Sequence, residues 1–243
     1  MALAQKYYWP ILEHPHDIGG RFSAFTVVGI LPCLLLGLSV EKFLKGAKHA
    51  LEHQQSIEQS IKEMFYHYPY QKIVLLSYSD YTHPLLLWMS QLIAESLGKT
   101  DTQGTPKGIT PLISRGTCDQ HSQLQLWLEG PKDKVFELFF FNDPFDQSKL
   151  SVEFHFQSDV LRQLDQHSCN DIFKAHSLST RKVLENAGYF VKFKEYPCLD
   201  EETLGMIMME KIIEVFYWAH VMQVEPTGQP GVEQSKTYIR SFL

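Results

Sequence analysis

The sequence predicts an α/β domain in which a mainly parallel sheet is flanked by helices. Short apolar runs of the kind found in buried parallel strands are separated by stretches whose apolar residues recur at helical spacing. The clearest example is Lys72–Tyr78, which contains Ile-Val-Leu-Leu and is followed by a helical pattern from Pro84. This pair forms one strand-loop-helix unit. The length of 243 residues suffices for one such domain with a sizeable core.

Turn and capping residues set the bounds of the predicted elements. Thr117 with Gln120 three residues later fits a capping box, which predicts the start of a helix. The predicted strands are Tyr7–Glu13, Lys72–Tyr78, Ile109–Ile113, Val135–Phe141, Leu150–Phe156 near an edge, and Tyr189–Glu195. The predicted helices are Val40–Leu51, Ser56–Tyr66, Pro84 to the Gly98 stop, Thr117 to Gly130, Asp171–Asn186, a long helix from Asp200 or Thr203 to about Val224, and a C-terminal helical segment from Pro230.

The longest apolar run, Phe22–Leu38, is predicted to be a buried helix that kinks or ends near Pro32. It is shorter than the roughly 20 apolar residues that span a bilayer, so no membrane anchor is expected. Residues 1–9 contain no apolar run like that of a signal peptide.

Composition and charge exclude other classes of protein. Hydrophobic residues make up 44% and charged residues 21%, as in a folded soluble protein. The formal charge of -6, without a basic block, argues against nucleic-acid binding. The four cysteines form no Cys-x-x-Cys pair, which favours a reduced, cytoplasmic chain without a zinc site. The eleven histidines likewise show no His-Glu-x-x-His spacing.

Four polar residues have more than one interpretation from the sequence alone. Gln91 and Glu95 lie four apart at a helix end, where they could serve a substrate or be solvated. Arg21, at the start of a helix, either reaches solvent or has an anionic partner. His121 lies about one turn into its helix, where it is either a catalyst or a surface histidine.

Lys236 shares a predicted apolar stripe with Val232, Ile239 and Leu243. It either meets an anionic group inside the domain or extends to solvent at the C-terminus.

These residues fall within four motifs that together resemble the glucose-6-phosphate isomerase family. The motifs are Asp17-Ile-Gly-Gly-Arg-Phe-Ser23, Gln91-x3-Glu95-Ser-x-Gly-Lys99, Gly116-Thr-x-Asp-Gln-His-Ser-x-Leu-Gln125 and Gln229-Pro-Gly-Val-Glu-x2-Lys236. No single motif is specific, but their order and spread from residue 17 to 236 are. The resemblance implies the sugar isomerase (SIS) fold, with residues 21–243 as the C-terminal SIS domain and residues 1–20 as a remnant leading into it.

The resemblance also implies a role for each matched residue. It implies interconversion of glucose 6-phosphate and fructose 6-phosphate, in glycolysis and gluconeogenesis, without a metal ion or cofactor. Glu95 matches the base that moves a proton between C2 and C1 through an enediol, and Arg21 matches the cation that stabilises that intermediate. His121 and Lys236 match the pair that helps to open the sugar ring. The residues matching substrate contacts are Gly20, Gln91 and Gln229.

The chain departs from the family's pattern in two places. The family's preceding SIS domain, whose Ser/Thr-rich loop holds the sugar phosphate at a helix N-terminus, has no counterpart here. Thr227-Gly228 also replaces the Phe-Asp that usually precedes the glutamine. In addition, the family's histidine reaches into the neighbouring subunit's site. We therefore expect a homodimer, a separately encoded N-terminal half, or both, and little activity from this chain alone.

A non-catalytic remnant or sugar-phosphate-binding module of the same fold is the alternative function. A protein that only binds other proteins is disfavoured, since it gives no reason for Arg21, Glu95, His121 and Lys236 to match together. No nucleic-acid or membrane partner is expected.

Overall fold

The computed structural model of the protein describes residues 2–66, 71–143, 146, 149–150, 159–229, 231–232, 238–239 and 241–242. Its helices are α1 (Ala2–Tyr7), α2 (Val27–Leu35), α3 (Val40–Glu52), α4 (Gln54–Tyr66), α5 (His83–Leu97), α6 (Cys118–Glu129), α7 (Asp159–Leu164), α8 (Cys169–Asn186) and α9 (Glu201–Met222). Its strands are β1 (Lys72–Ser77), β2 (Thr110–Arg115), β3 (Lys134–Phe141) and β4 (Val191–Tyr196), and 3-10 helices cover Gly20–Phe25 and Asp80–Thr82.

Within the described residues the strands form one parallel sheet in the order β2-β1-β3-β4. β1 lies between β2 and β3, with Leu75 opposite Ile113 on one side and Glu137 on the other. The prediction of an α/β fold with a parallel sheet between helices is confirmed. The predicted strand Leu150–Phe156 falls almost entirely outside the described residues.

The two faces of the sheet carry separate apolar cores because side chains alternate along a strand. Val74 and Leu76 of β1 point to the face covered by α6 and α8, where they pack with Trp127 and Leu184. On the other face, a larger core joins β1 and β3 to α4, α5 and α9; its fully buried members include Leu75, Met89, Leu92 and Leu97. Each such leucine contributes about 1.5–3 kcal/mol through burial.

Glycines allow α3 and α9 to pack closely. A Cβ at Gly46 would lie 1.9 Å from the carbonyl oxygen of Glu202, and one at Gly205 would lie 1.9 Å from that of Phe43. Both contacts are with backbone, so a larger residue at either position forces the helices apart. This close approach of the two helices is not evident from the helical periodicity.

Ionic side chains also lie between the sheet and α9. The carboxylate of Glu137, in the middle of β3, accepts from the ammonium group of Lys211 at 2.6 Å. Lys211 also pairs with Glu214, which in turn pairs with Lys192. Burial alone raises the pKa of Glu214, but the ammonium groups of Lys192, Lys211 and Lys194 together hold that pKa well below its usual value.

The predictions for the first 38 residues are partly wrong. Tyr7–Glu13 forms no strand, because the chain leaves α1 at Tyr7 and continues without regular structure to residue 15. The apolar run Phe22–Leu38 is two elements, since Thr26 ends the first 3-10 helix and caps α2 by accepting from the Val28 amide. α2 includes Pro32 and has no buried residue, so the prediction of burial is also wrong.

Two further expectations are corrected. Thr117 has φ +62° and makes no side-chain cap, because the chain turns there directly from β2 into α6. The carboxylate of Asp119 instead accepts from the Arg115 amide at 2.6 Å. The apolar periodicity of the long helix also predicts that Phe216 faces the core, whereas this residue is 45% exposed and packs against Phe22. No helix of the described ranges combines the length and apolar character needed to cross a bilayer.

Candidate functional site

The first 3-10 helix places Arg21 against the last turn of α5. Ser23 Oγ donates to the Gly20 carbonyl at 2.7 Å and Thr26 Oγ1 donates to the Ser23 carbonyl at 2.8 Å, which closes the turn. The indole Nε1 of Trp88 donates to the Arg21 carbonyl at 3.3 Å and joins the turn to α5. The backbone of Arg21 is therefore held from both elements.

The guanidinium of Arg21 bonds to two parts of the chain that are distant in sequence. Nε donates to Ser96 Oγ at 2.9 Å, while Nη2 donates to the carbonyl oxygens of Pro226 at 2.5 Å and Gly228 at 2.9 Å. The side chain is only 5% exposed. Burial lowers the pKa of Arg21, and the nearby Glu95 carboxylate opposes this effect. An arginine remains protonated in proteins, so the group is a fixed cation.

Glu95 meets a donor at each of its oxygens. Oε2 lies 3.5 Å from Nη1 of Arg21, and Oε1 accepts from Nε2 of Gln91 at 3.0 Å. Gln91 and Glu95 are adjacent on α5 because residues four apart share a helix face. With 28% of its side chain exposed, the carboxylate is oriented and still accessible to a ligand.

The segment Glu225–Gly228, here called the 225–228 loop, is held by Lys99 and Arg21, which bind alternate backbone carbonyls along it. Lys99 Nζ donates to the carbonyl oxygens of Glu225 and Thr227, and Arg21 takes those of Pro226 and Gly228. Gly228 has φ +68°, a conformation that favours glycine. Burial and the charge of Arg21 lower the pKa of Lys99, which Glu225 and Glu95 partly oppose. The loop thus presents the following residue, Gln229, in a defined place.

A cavity of about 570 Å³ opens beside this arrangement. Its size is within the usual range for small-molecule sites. Its polar lining residues are Glu95, Lys99, Thr100, Lys107 and Gln229. A carboxylate, an amide and two ammonium groups around one hollow are suited to a small polar ligand that carries negative charge.

Three other residues predicted for the site, Gly20, His121 and Lys236, are not among the described residues that line the cavity. Gly20 is exposed at the start of the 3-10 helix. His121 is exposed on α6, which follows the carboxyl end of β2, and it does not line the cavity beside Glu95. Lys236 lies outside the described residues, and Val232 and Ile239 of its predicted stripe are 40% and 55% exposed. In the described part of the chain, no three His, Cys, Asp or Glu side chains are grouped to hold a metal ion.

Comparisons with known proteins show what the chain as a whole is similar to. No protein-family model matches the chain. Curated relatives named glucose-6-phosphate isomerase include one from Rubrobacter xylanophilus, 33% identical over 94% of this chain, and one from Thermus thermophilus, 31% identical over 100%. One from Methanocaldococcus jannaschii is 30% identical over 96% of the chain.

The chain is similar to glucose-6-phosphate isomerases. It is a partial, C-terminal-type chain of this kind, and it spans 54–59% of the length of these relatives.

Solved structures give the same fold. A hypothetical protein from Thermus thermophilus superposes on 99% of this chain with a TM-score of 0.91 at 29% identity, and the match covers 59% of that protein. A glucose-6-phosphate isomerase from Chlamydia trachomatis gives a TM-score of 0.71 at 18% identity over 99% of this chain and 54% of its own, a likeness of fold alone. The expected SIS fold is therefore confirmed.

Several residues that build the site were missed in the sequence. Ser96 is fully buried and fixes Nε of Arg21, and Trp88 fixes the backbone of Arg21. Trp88 belongs to the helical apolar pattern, and nothing in that pattern distinguishes Ser96. Lys99 directly follows Gly98 at the end of α5, and its ammonium group bonds to the 225–228 loop. No sequence signal marks that loop as an acceptor, because its backbone carbonyls make the contacts.

Proposed function

We propose that the chain is the C-terminal half of a glucose-6-phosphate isomerase, which interconverts glucose 6-phosphate and fructose 6-phosphate. The observation that carries the proposal is the pairing of Arg21 with Glu95 at the edge of the cavity, 74 residues apart in sequence. A buried cation beside an accessible, oriented carboxylate is what proton abstraction next to a carbonyl requires.

In this mechanism Glu95 takes the proton from C2 of the open sugar and returns it to C1. Negative charge develops on the adjacent sugar oxygens as the enediol forms. Nη1 of Arg21 is the end of the guanidinium that faces this position, because Nε and Nη2 are occupied by Ser96 and the 225–228 loop. The hydrogen bond from Gln91 to the other carboxylate oxygen keeps the base from rotating.

The remaining roles follow the family's motifs. Gln229 lines the cavity and, with Gln91 and the backbone of Gly20, is proposed to contact the substrate. His121 and Lys236 are proposed to open the sugar ring, His121 from a second copy of the chain. The sugar phosphate is proposed to be held by a separately encoded N-terminal half, since the chain spans little more than half the length of its relatives. No metal ion or cofactor enters the scheme.

The test is isomerase activity of the complex that forms when the tagged chain and the proposed N-terminal half are produced together in a host without its own isomerase. Replacing Glu95 with glutamine is expected to lower turnover roughly 10²–10⁴-fold, the range for loss of a general base. The matched control is Glu63→Gln, since Glu63 accepts from Gln59 four residues earlier on α4, an equivalent pair away from the cavity. Equal activity of wild type and Glu95→Gln would show that Glu95 is not the base.

A second candidate, a non-catalytic remnant or sugar-phosphate-binding module of the same fold, has one observation in its favour. Both lysines that line the cavity already have partners. Lys99 donates to backbone carbonyls of the 225–228 loop, and the ammonium group of Lys107 lies 3.4 Å from the carboxylate of Asp101. Without a phosphate anchor, the substrate loses the binding energy that positions it against Glu95. Binding of fructose 6-phosphate without turnover, in both the isolated chain and its complex, would favour this function. Robust turnover by the isolated chain would refute the need for a second half.

A further inference from the structure

Helix α2 has the composition of a buried helix but lies at the surface. Residues 27–38 contain only Val, Gly, Ile, Leu, Pro and Cys. Even so, six large side chains of this stretch are exposed, and we call them the α2 face: Val28, Leu31, Leu34, Leu35, Leu36 and Leu38. Leu35 and Leu36 are 78% and 75% exposed. A helix that is apolar on all sides is stable when it is covered, so the exposed face indicates a missing neighbour.

The chemistry of the α2 face favours a protein neighbour that stays bound. The nine residues of α2 are too few to cross a bilayer. Helices that lie on membranes carry Lys or Arg on a polar face, and α2 has neither, in a chain of net charge -6. Large interfaces without charge are typical of permanent rather than transient complexes.

The relatives contain polypeptide that this chain does not span. The fold described here occupies 59% of the solved Thermus thermophilus chain and 54–59% of the curated relatives. Each of them therefore has a further 41–46% of polypeptide that must pack somewhere. In this chain, the α2 face is a continuous apolar stretch without a partner among the described residues, and it suits that role.

The position of α2 connects this surface to the candidate site. α2 begins two residues after the 3-10 helix that contains Arg21, and Thr26 joins the two elements. The nine residues of α2 extend roughly 13 Å, so its exposed face begins within a short distance of the element that contains Arg21.

We propose that the α2 face docks a separate polypeptide equivalent to the part of the curated isomerases that this chain does not span. The inference rests on the proposed function for the identity of the partner. It adds the surface on which the partner binds and explains why an apolar helix is exposed beside the site.

In the experiment, the tagged wild type, a test variant and a control variant each capture proteins from a lysate of the chain's own organism. The captured proteins are identified by mass spectrometry and their amounts are compared. The test variant is the double substitution Leu34→Glu and Leu35→Glu on the α2 face. The control is Leu126→Glu on α6, away from the α2 face. Leu126 is a suitable match because its exposed fraction, 56%, is close to the 58% of Leu34. All of these side chains point outward, so equal thermal unfolding of the three proteins is expected and is checked first.

Wild type and Leu126→Glu are expected to retain a protein whose sequence aligns with the unspanned part of the isomerases. The double variant is expected to retain at least about tenfold less, which corresponds to about 1.4 kcal/mol of binding free energy. Equal retention by the double variant overturns the proposal. Capture of only unrelated proteins also overturns the proposal. Self-association of the chain in sedimentation analysis, or flotation of the chain with lipid vesicles, overturns it as well if the double variant abolishes that behaviour.

The readout separates this inference from the proposed function, because it does not depend on catalysis. A complex that forms through the α2 face but does not interconvert the sugar phosphates supports the docking surface and refutes the isomerase. An active complex that the double variant forms equally well supports the isomerase and refutes the docking surface.

Discussion

Replacing Arg21 tests whether one buried guanidinium holds the 225–228 loop against α5. Methionine preserves an unbranched stem of similar length beside Phe22 and removes every polar contact of the head group. The substitution leaves Ser96 Oγ and the carbonyls of Pro226 and Gly228 without their donor. Ser96 is fully buried, so water cannot readily replace that bond.

The size of the effect follows from these contacts. A hydrogen bond to a charged group contributes about 1.5–3 kcal/mol net, and Arg21 makes three of 2.9 Å or less. The cost of burying the guanidinium, which also lowers its pKa, offsets part of this gain. We expect Arg21→Met to lower the free energy of unfolding by about 2–4 kcal/mol. For a chain of this length, that decreases the melting temperature by roughly 4–16 °C.

The assay is urea unfolding followed by tryptophan fluorescence, with calorimetry for the melting temperature. Arg21→Lys is expected to lie between wild type and Arg21→Met, since an ammonium group cannot reproduce the planar fork that spans α5 and the loop. The control is Arg115→Met, because Arg115 pairs with Asp80 and both side chains are largely exposed. We expect no measurable change for that variant.

Equal urea midpoints for Arg21→Met and Arg115→Met would contradict this expected loss of stability. In that case the contacts of Arg21 to the 225–228 loop would contribute nothing to stability, and the loop would be positioned by other residues.

Two further predictions concern the loop and the buried ionic cluster. Gly228→Ala is expected to lower the free energy of unfolding, measured in urea, by about 1–2 kcal/mol, because alanine at φ +68° is strained while its Cβ meets no other atom. Gly228→Asn is the control and is expected to lose less stability, because asparagine tolerates this conformation. Equal stability of the wild type and both variants would exclude a strained turn. Glu214→Gln is expected to cost about 3–5 kcal/mol, because Lys192 and Lys211 lose a buried partner. Since the pKa of Glu214 is lowered on folding, its contribution is complete above about pH 4.3 and is lost as the pH falls, so the wild type and Glu214→Gln should converge in acid urea titrations.

The strands and the helices next to them could be predicted from the sequence because their apolar periodicity is strong. Lys72–Tyr78 and the Pro84 helix match β1 and α5 to within one residue. The N-terminal region was harder to predict. A uniformly apolar run has no periodicity to show a break, so the cap at Thr26 within Phe22–Leu38 was not visible.

The residues of the site were recognised through their motifs, whereas the contacts among them required coordinates. Nothing in the local pattern around Arg21 indicates that it bonds to Ser96, 75 residues later. Glu137 reads as an isolated charge in a Phe-rich strand, although it is fully buried with Lys211. In each case the partner lies far along the chain, and periodicity reports only on neighbours.

The direction of α5 separates Glu95 from His121 within one copy of the chain. α5 starts after the carboxyl end of β1 and returns toward the amino edge of the sheet, where Ala94 and Gly98 share a cavity with Gln71 and Thr110. His121 follows the carboxyl end of β2. The twelve residues from the start of α5 to Glu95 rise roughly 18 Å, more than a histidine side chain can reach.

A complementation experiment follows from this separation. If His121 acts on a sugar held beside Glu95 of another copy, Glu95→Gln and His121→Ala disrupt different halves of each shared site. Mixed in equal amounts within the active complex, the two variants form mixed dimers in half of the cases, and each mixed dimer has one intact site out of two. Turnover should then recover to about a quarter of wild type, although each variant alone is inactive. Mixtures no more active than the separate variants would place the histidine and the glutamate in the same copy, or remove His121 from the reaction.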